Sequence, residues 1–197
     1  SERSYSGRVN TTAGISIINY AGNTSAGHTI PHHLGVAPKM IMIKNLGDVG
    51  NWIVYHASTT DFRYYLKLND TSATTLDSGM YDNVPTSSGF LVGSNVDVND
   101  DNQQYIAYCF ADVQGYSKFG SYVGNGNADG PFIYTGFKPA WIMYRNTSGT
   151  SDWYIKDIKR RTFNVTDVRL EANNSDAEVT GAGDRIDILS NGFKLRH

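Results

Sequence analysis

The residues that could do chemistry are few, and their spacing works against most of it. His32 and His33 offer two imidazoles for a transition metal, but adjacent residues on a strand point to opposite faces, so a turn role is expected. Asp97-Val98-Asn99-Asp100-Asp101-Asn102 gathers the oxygen donors that Ca²⁺ takes. It lacks the Gly at the sixth place and the Glu at the twelfth that an EF-hand needs, so a solvated hairpin loop is expected instead. Asp152 and Asp157 bracket Trp153, yet the equivalent residues in the other half of the chain are Asn51 and His56, so no acid pair recurs. A nucleophile elbow and a zinc-type His pair are both missing. The lone Cys109, within Tyr105-Ile106-Ala107-Tyr108-Cys109-Phe110, reads as a small buried hydrophobe and rules out an intramolecular disulfide. The expectation is a chain with no catalytic residues, no metal and no cofactor.

Binding is the better prospect. A sugar has an apolar face and a polar edge, so exposed rings beside hydrogen-bonding side chains are what its recognition requires. Tyr65 alternates with Arg63 and Lys67, opposite Tyr64, Leu66 and Leu68, which places it on the polar face of its strand. Tyr81 sits beside Asp82 and Asn83 in a loop, and Trp141 stands where the other copy has Met40. Tyr65, Tyr81, Trp141, Arg63 and Lys67 are therefore the candidate ligand-binding residues.

The elements that must position these residues occur twice. Gly35-Val36-Ala37-Pro38-Lys39-Met40-Ile41-Met42-Ile43-Lys44-Asn45 returns as Gly136-Phe137-Lys138-Pro139-Ala140-Trp141-Ile142-Met143-Tyr144-Arg145-Asn146. Asn51-Trp52-Ile53-Val54 returns as Asp152-Trp153-Tyr154-Ile155 at the same offset. Tyr20-Ala21-Gly22-Asn23 answers to Tyr122-Val123-Gly124-Asn125, Leu66 and Asn69 to Leu170 and Asn173, and Gly89-Phe90 to Gly192-Phe193. Such a period is too long for a solenoid, whose units run roughly 20 to 50 residues. Repeat one is assigned to 1–113 and repeat two to 114–197, and the short aromatic junction at 114–119 predicts that they pack together. A position kept in both copies serves the shared fold, so Trp52 and Trp153 are expected to be buried at equivalent places.

Alternating hydrophobicity predicts strands at 15–20, 39–45, 51–56, 63–69, 89–94 and 104–111. Between them lie turn residues such as Gly47-Asp48-Val49-Gly50 and Pro85-Thr86-Ser87-Ser88-Gly89. No segment has a convincing helical period; residues 58–62 are the best place for a single turn. The fold expected is all-β, an antiparallel sandwich or jelly roll with the concanavalin-like form among its versions. Repeat two has no counterpart of 104–111. Either the piece was cut there, or an N-terminal strand or a neighbouring chain fills the gap; an uncovered edge is a template for pairing and predicts self-association. The opening Ser1-Glu2-Arg3, without Met, is expected of a piece cut from something longer.

Net charge of −2 and a pI near 6.2 give no basic surface for a nucleic-acid backbone, and the longest basic tract is Lys159-Arg160-Arg161. No apolar run approaches the roughly 20 residues that span a bilayer as a helix.

Thr12-Ala13-Gly14-Ile15-Ser16-Ile17-Ile18-Asn19-Tyr20-Ala21-Gly22-Asn23, His33-Leu34-Gly35-Val36-Ala37-Pro38 and Trp52-Ile53-Val54-Tyr55-His56 together resemble a recurrent module of bacteriophage structural proteins. The run from Tyr105 through Asp112-Val113-Gln114-Gly115-Tyr116 to Tyr122 does the same. The module is similar to those of tail fibres and minor virion proteins of marine phages and cyanophages. The resemblance implies a β-rich virion component, assembled in the host cytoplasm and exposed on the particle, and supplies no catalytic residues. Its expected partners are copies of itself, as a trimer in a fibre, other virion proteins and a host surface polysaccharide. The competing expectation is a carbohydrate-active enzyme or its non-catalytic binding module.

Overall fold

The computed structural model describes residues 4–181 and 183–196; Ser1-Glu2-Arg3 and His197 lie outside them. In repeat one the strands are Tyr5–Asn10 (β1), Ile15–Ala21 (β2), His28–Pro31 (β3), Met40–Asn45 (β4), Trp52–His56 (β5), Tyr64–Lys67 (β6), Thr75–Leu76 (β7), Gly89–Val92 (β8) and Gln104–Phe110 (β9). Seven of them form an antiparallel sheet in the order β1-β2-β9-β4-β5-β6-β7, and β3 pairs with β8 separately. The β-branched and aromatic runs favour this pleated arrangement. Ile41, Ile43, Ile53 and Tyr55 point from the large sheet toward Ile30, Tyr81 and Phe90, and this is the main core. The fold is an all-β sandwich.

Among the described residues the one α-helical turn is at Val96–Asn99 (α1), and not at 58–62. The Asn95 side chain caps it by accepting the Asp97 N–H at 2.9 Å. The acidic run is therefore not the solvated loop expected. Asn99 is fully buried, and its amide donates to the Ser25 and Gly93 carbonyls at 2.9 and 2.7 Å.

Repeat two contains Asp129–Tyr134 (β10), Trp141–Tyr144 (β11), Tyr154–Asp157 (β12), Leu170–Glu171 (β13), Arg185–Leu189 (β14) and Gly192–Arg196 (β15). They form two small sheets, β11-β12-β13 and β10-β15-β14. The registers repeat those of the first half: Met40↔His56 becomes Trp141↔Asp157, and Val54↔Leu66 becomes Ile155↔Leu170. A side-chain latch repeats as well. Asn69 accepts the Trp52 N–H at 2.8 Å and donates to Asn51; Asn173 accepts the Trp153 N–H at 2.7 Å and donates to Asp152. Gly89 and Gly192 recur because a Cβ there would lie 2.9 Å from the Ile30 carbonyl and 2.1 Å from that of Ile133.

The two halves stack face to face. Met40, Met42, Val54, Leu66 and Phe110, on the outer face of the large sheet, meet Phe119, Met143 and Trp153. Trp153 is buried at 4% exposure, and its Nε1–H donates to the Lys67 carbonyl at 2.8 Å. Trp52 occupies the equivalent position but stays half-buried, its ring 6.2 Å from Tyr108, and is not among the residues packed at the junction. Burial thus follows the interface and not the shared fold. The Arg145 guanidinium crosses the same junction and donates to the carbonyls of Lys67, Asp70, Thr71 and Ser72. As for the gap in repeat two, β1 does not fill it: β1 pairs with β2 at the far edge of the large sheet.

Candidate functional site

Two of the sequence-based candidates are core residues. Tyr65 is 7% exposed and belongs to the main core, while Leu66 faces repeat two. β6 alternates as expected, but one face packs into the main core and the other against repeat two, so neither is the polar one. Tyr81 is fully buried, its ring 5.4 Å from Tyr55, in an isolated bridge to Val92. A residue among loop-like neighbours has become part of the sandwich. Arg63 is exposed and bidentate on Asp61 at 2.9 and 2.8 Å, and Lys67 lies 3.7 Å from Asp70. Trp141 is the one predicted ring that is open, at 54% exposure. The five residues form no common site.

Exposed rings gather elsewhere. Phe132 and Tyr134, 45% and 66% exposed, alternate along the edge strand β10 and share one face of its sheet. The Phe132 ring lies over Gly192, where an added Cβ would come within 2.9 Å of its Cζ. Cross-strand register puts Lys194 beside Phe132, and Asp187 beside Lys194. Asp129 accepts from Lys194 and Arg196, both at 3.0 Å, and Arg196 also holds Asp187 at 2.7 Å. The result is a flat aromatic ledge with an ionic rim. Repeat one has Thr29 and Pro31 in these places, against Leu91 and Gly89. Like Trp141, Phe132 and Tyr134 are rings present in one copy only, and that contrast between the copies marks them in the sequence.

Behind the ledge is a constellation that no local spacing announced. Lys156 is fully buried, with its Nζ 3.2 Å from Asp184. Asp184 also accepts from Arg169 at 2.7 Å and from the Tyr144 hydroxyl at 2.7 Å. Arg169 stacks 4.4 Å over the Tyr154 ring and pairs with Glu171 at 3.0 Å. Burial holds the Lys156 ammonium below the ordinary lysine range against the pull of Asp184. For Asp184, burial acts upward, but the hydrogen bonds from Tyr144 and Arg169 outweigh it and lower its pKa. Every member is partnered, so the cluster is suited to holding strands together more than to moving protons.

His32 is buried, accepts the Leu34 N–H at 3.1 Å and lies 3.0 Å from the Thr86 carbonyl, so it braces a turn. Burial pushes the Cys109 thiol up to about 12. Among the described residues no three His, Cys, Asp or Glu side chains are grouped to hold a metal ion, and no helix is long and apolar enough to cross a membrane. Two surface hollows measure about 90 and about 150 Å³. Both fall short of the roughly 300–1,000 Å³ that encloses a small ligand.

The model of the family described as "Domain of unknown function (DUF7483)" matches residues 4–197. The chain belongs to that family. No curated protein and no solved structure matches it. Family membership thus covers both repeats, the ledge on β10 and the buried cluster alike.

Proposed function

We propose that this chain is a phage virion component, a tail-fibre or surface domain that presents a β surface for weak attachment to a host polysaccharide. One observation carries the reading. Large exposed aromatics lie almost wholly in the second half: Tyr116, Tyr122, Phe132, Tyr134, Trp141 and Phe163, against Tyr5 in the first. Repeat one encloses its rings, while repeat two displays them. The ledge of Phe132 and Tyr134 offers two stacking faces, and Lys194, Arg196 and Asp187 offer donors and acceptors to a sugar's edge. An open ledge suits surface recognition without bond cleavage, and the chain is proposed to have no enzymatic activity. A single stacked site gives affinity of roughly millimolar to micromolar order, so useful attachment comes from many copies. Association with other virion proteins and with copies of itself, as a trimer in a fibre, belongs to the same reading.

The test has two parts. Antibody labelling of intact particles should place the chain on the virion surface, and its absence there would sink the structural role. A multivalent display of the chain on a glycan array should give hits that Phe132→Ala and Tyr134→Ala remove. Hits unchanged in both variants would discard the ledge, and release of reducing ends from a hit would favour the carbohydrate-active reading.

A further inference from the structure

The second copy carries a basic loop that the first does not. Between His56 and Leu66 repeat one has a single cation, Arg63, spent on Asp61. Between the matching Asp157 and Leu170 the loop is three residues longer and holds Lys159, Arg160, Arg161 and Arg169. Lys138 joins them where repeat one has Ala37. The larger surface hollow, about 150 Å³, lies here, with Lys138, Arg161, Phe163 and Thr166 around Ile158 and Ile188. Its walls are fixed. The Asn164 side chain pairs with β14 as a strand would, donating to the Ile188 carbonyl and accepting the Ile188 N–H, both at 2.9 Å. Thr166 exchanges backbone bonds with Ile186 at 2.8 and 3.1 Å, and the Ile158 N–H donates to the Ala140 carbonyl at 3.1 Å. Arg160 ties the base of the loop to Asp157 at 2.6 Å.

Ile158 and Ile188 belong to the second core, so the floor is apolar. Among the described residues three donors around that floor are unspent. Lys138 is exposed and has neither an ion-pair nor a hydrogen-bond partner. Arg161 gives its Nε and Nη2 to Asp167, at 2.9 and 3.2 Å, and keeps the Nη1 amino group free. Thr166 is 1% exposed, yet its hydroxyl is neither partnered nor sealed from solvent, so it opens into the hollow. A nearly buried hydroxyl without a partner is costly, and a bound acceptor satisfies it. No carboxylate lines the hollow among the described residues. Phe163 stands at the rim, 81% exposed.

We infer that this hollow binds an acidic sugar, whose carboxylate seats between Lys138 and Arg161 and accepts from Thr166 while its ring lies on Phe163. The ligand class rests on the polysaccharide reading above; the site rests on its own donors. A carboxylate only accepts, which matches three donor groups that face no acid. The apolar face of a sugar ring matches the open face of Phe163. Size agrees as well. The hollow is too small to enclose a sugar but ample for a carboxylate, since a water needs only roughly 10–15 Å³. A nucleic-acid backbone requires a row of such sites, which a chain of net charge −2 does not offer.

The probe is a short oligomer of galacturonic acid, titrated into the whole chain and followed by amide chemical shifts, beside its methyl ester, which keeps the rings and loses the charge. The acid should move the amides of residues 162–166, and the ester should bind roughly tenfold more weakly or worse, as the loss of a charge-assisted contact implies. Lys138→Gln should weaken the acid by a similar factor, Lys138→Arg should keep it, and Phe163→Ala should weaken both forms. Lys159→Gln, which removes an equal charge from the same loop outside the hollow, should change little. No binding of the acid, equal binding of acid and ester, or equal losses in Lys138→Gln and Lys159→Gln would overturn the inference. Shifts confined to Phe132 and Tyr134 would overturn it too, while leaving the ledge as the polysaccharide site. Acid binding at 162–166 by a chain absent from the virion surface would uphold the hollow and sink the virion role alone.

Discussion

The two repeats share strand registers, an asparagine latch and a crowded glycine, yet they fill the space inside differently. Ile43, Ile53, Tyr55 and Tyr65 of repeat one become Tyr144, Tyr154, Lys156 and Arg169 in repeat two. In the first, these positions belong to one large core that also draws on β2, β8 and β9. In the second they belong to a smaller group held partly by charge. Backbone pairing evidently tolerates either filling, provided the latch and the glycine remain. Register and core composition are separable properties of this sandwich.

The largest effects should come where the repeats differ most in burial. Trp153→Ala removes a buried ring and its bond to Lys67, and should cost about 4–5 kcal/mol. Trp52→Ala, at the half-buried equivalent, should cost about 1–2 kcal/mol. Urea unfolding of both variants measures the gap, and equal losses would erase the distinction between shared fold and interface. Asp184→Ala strands Lys156 and Arg169 and should cost about 3–4 kcal/mol. Adding Lys156→Met should restore part of it, because an apolar filling then replaces an unpaired buried charge. If the double variant were worse than the single, the charged cluster would not be interchangeable with the apolar one.

A smaller and equal effect is expected from the latch. Asn69→Ala and Asn173→Ala each leave a strand-initiating N–H without its acceptor and should each cost about 1–2 kcal/mol. Unequal costs would mean that the latch belongs to one repeat more than the other. The smallest effect is on pH. Burial lowers the pKa of His32 and His56 from 6.5, so the unfolded chain takes up protons first as pH falls. Their contribution is complete above 6.5 and is lost as pH drops toward their folded values. The lowered pKa of Asp184 acts the same way, but only below 3.8. Amide exchange followed from pH 7 downward should therefore loosen repeat one before repeat two, by about 1 kcal/mol or less per histidine. His32→Asn should flatten the first phase.

The sequence made the strands and the duplication legible, since alternation and a constant offset are local or pairwise signals. β4, β5, β8 and β9 all fall inside the expected spans. The side each strand turns to the core was not legible for β6. Period-two alternation separates two faces but cannot report that a second repeat covers the outer one. Tyr81 reads as a loop residue because an isolated bridge leaves no run of alternation in the sequence. The Lys156 cluster joins residues from Tyr144 to Asp184, on β11, β12 and the segments before β13 and β14, and no short motif can encode it.

Arg145 has a consequence for how the molecule is made. Its guanidinium closes on four carbonyls between residues 67 and 72, and the backbone adds Thr74 N–H to the Thr147 carbonyl and Ser151 N–H to that of Thr71. The loop after β6 is finished by residues translated more than seventy positions later. On the ribosome, repeat one can pair its strands as soon as β9 emerges, but this loop stays open until the β11–β12 hairpin follows. The early half therefore waits on the late half for its last contacts, and a nascent chain stalled before residue 145 should be cut by protease within 68–74 while the rest of repeat one resists.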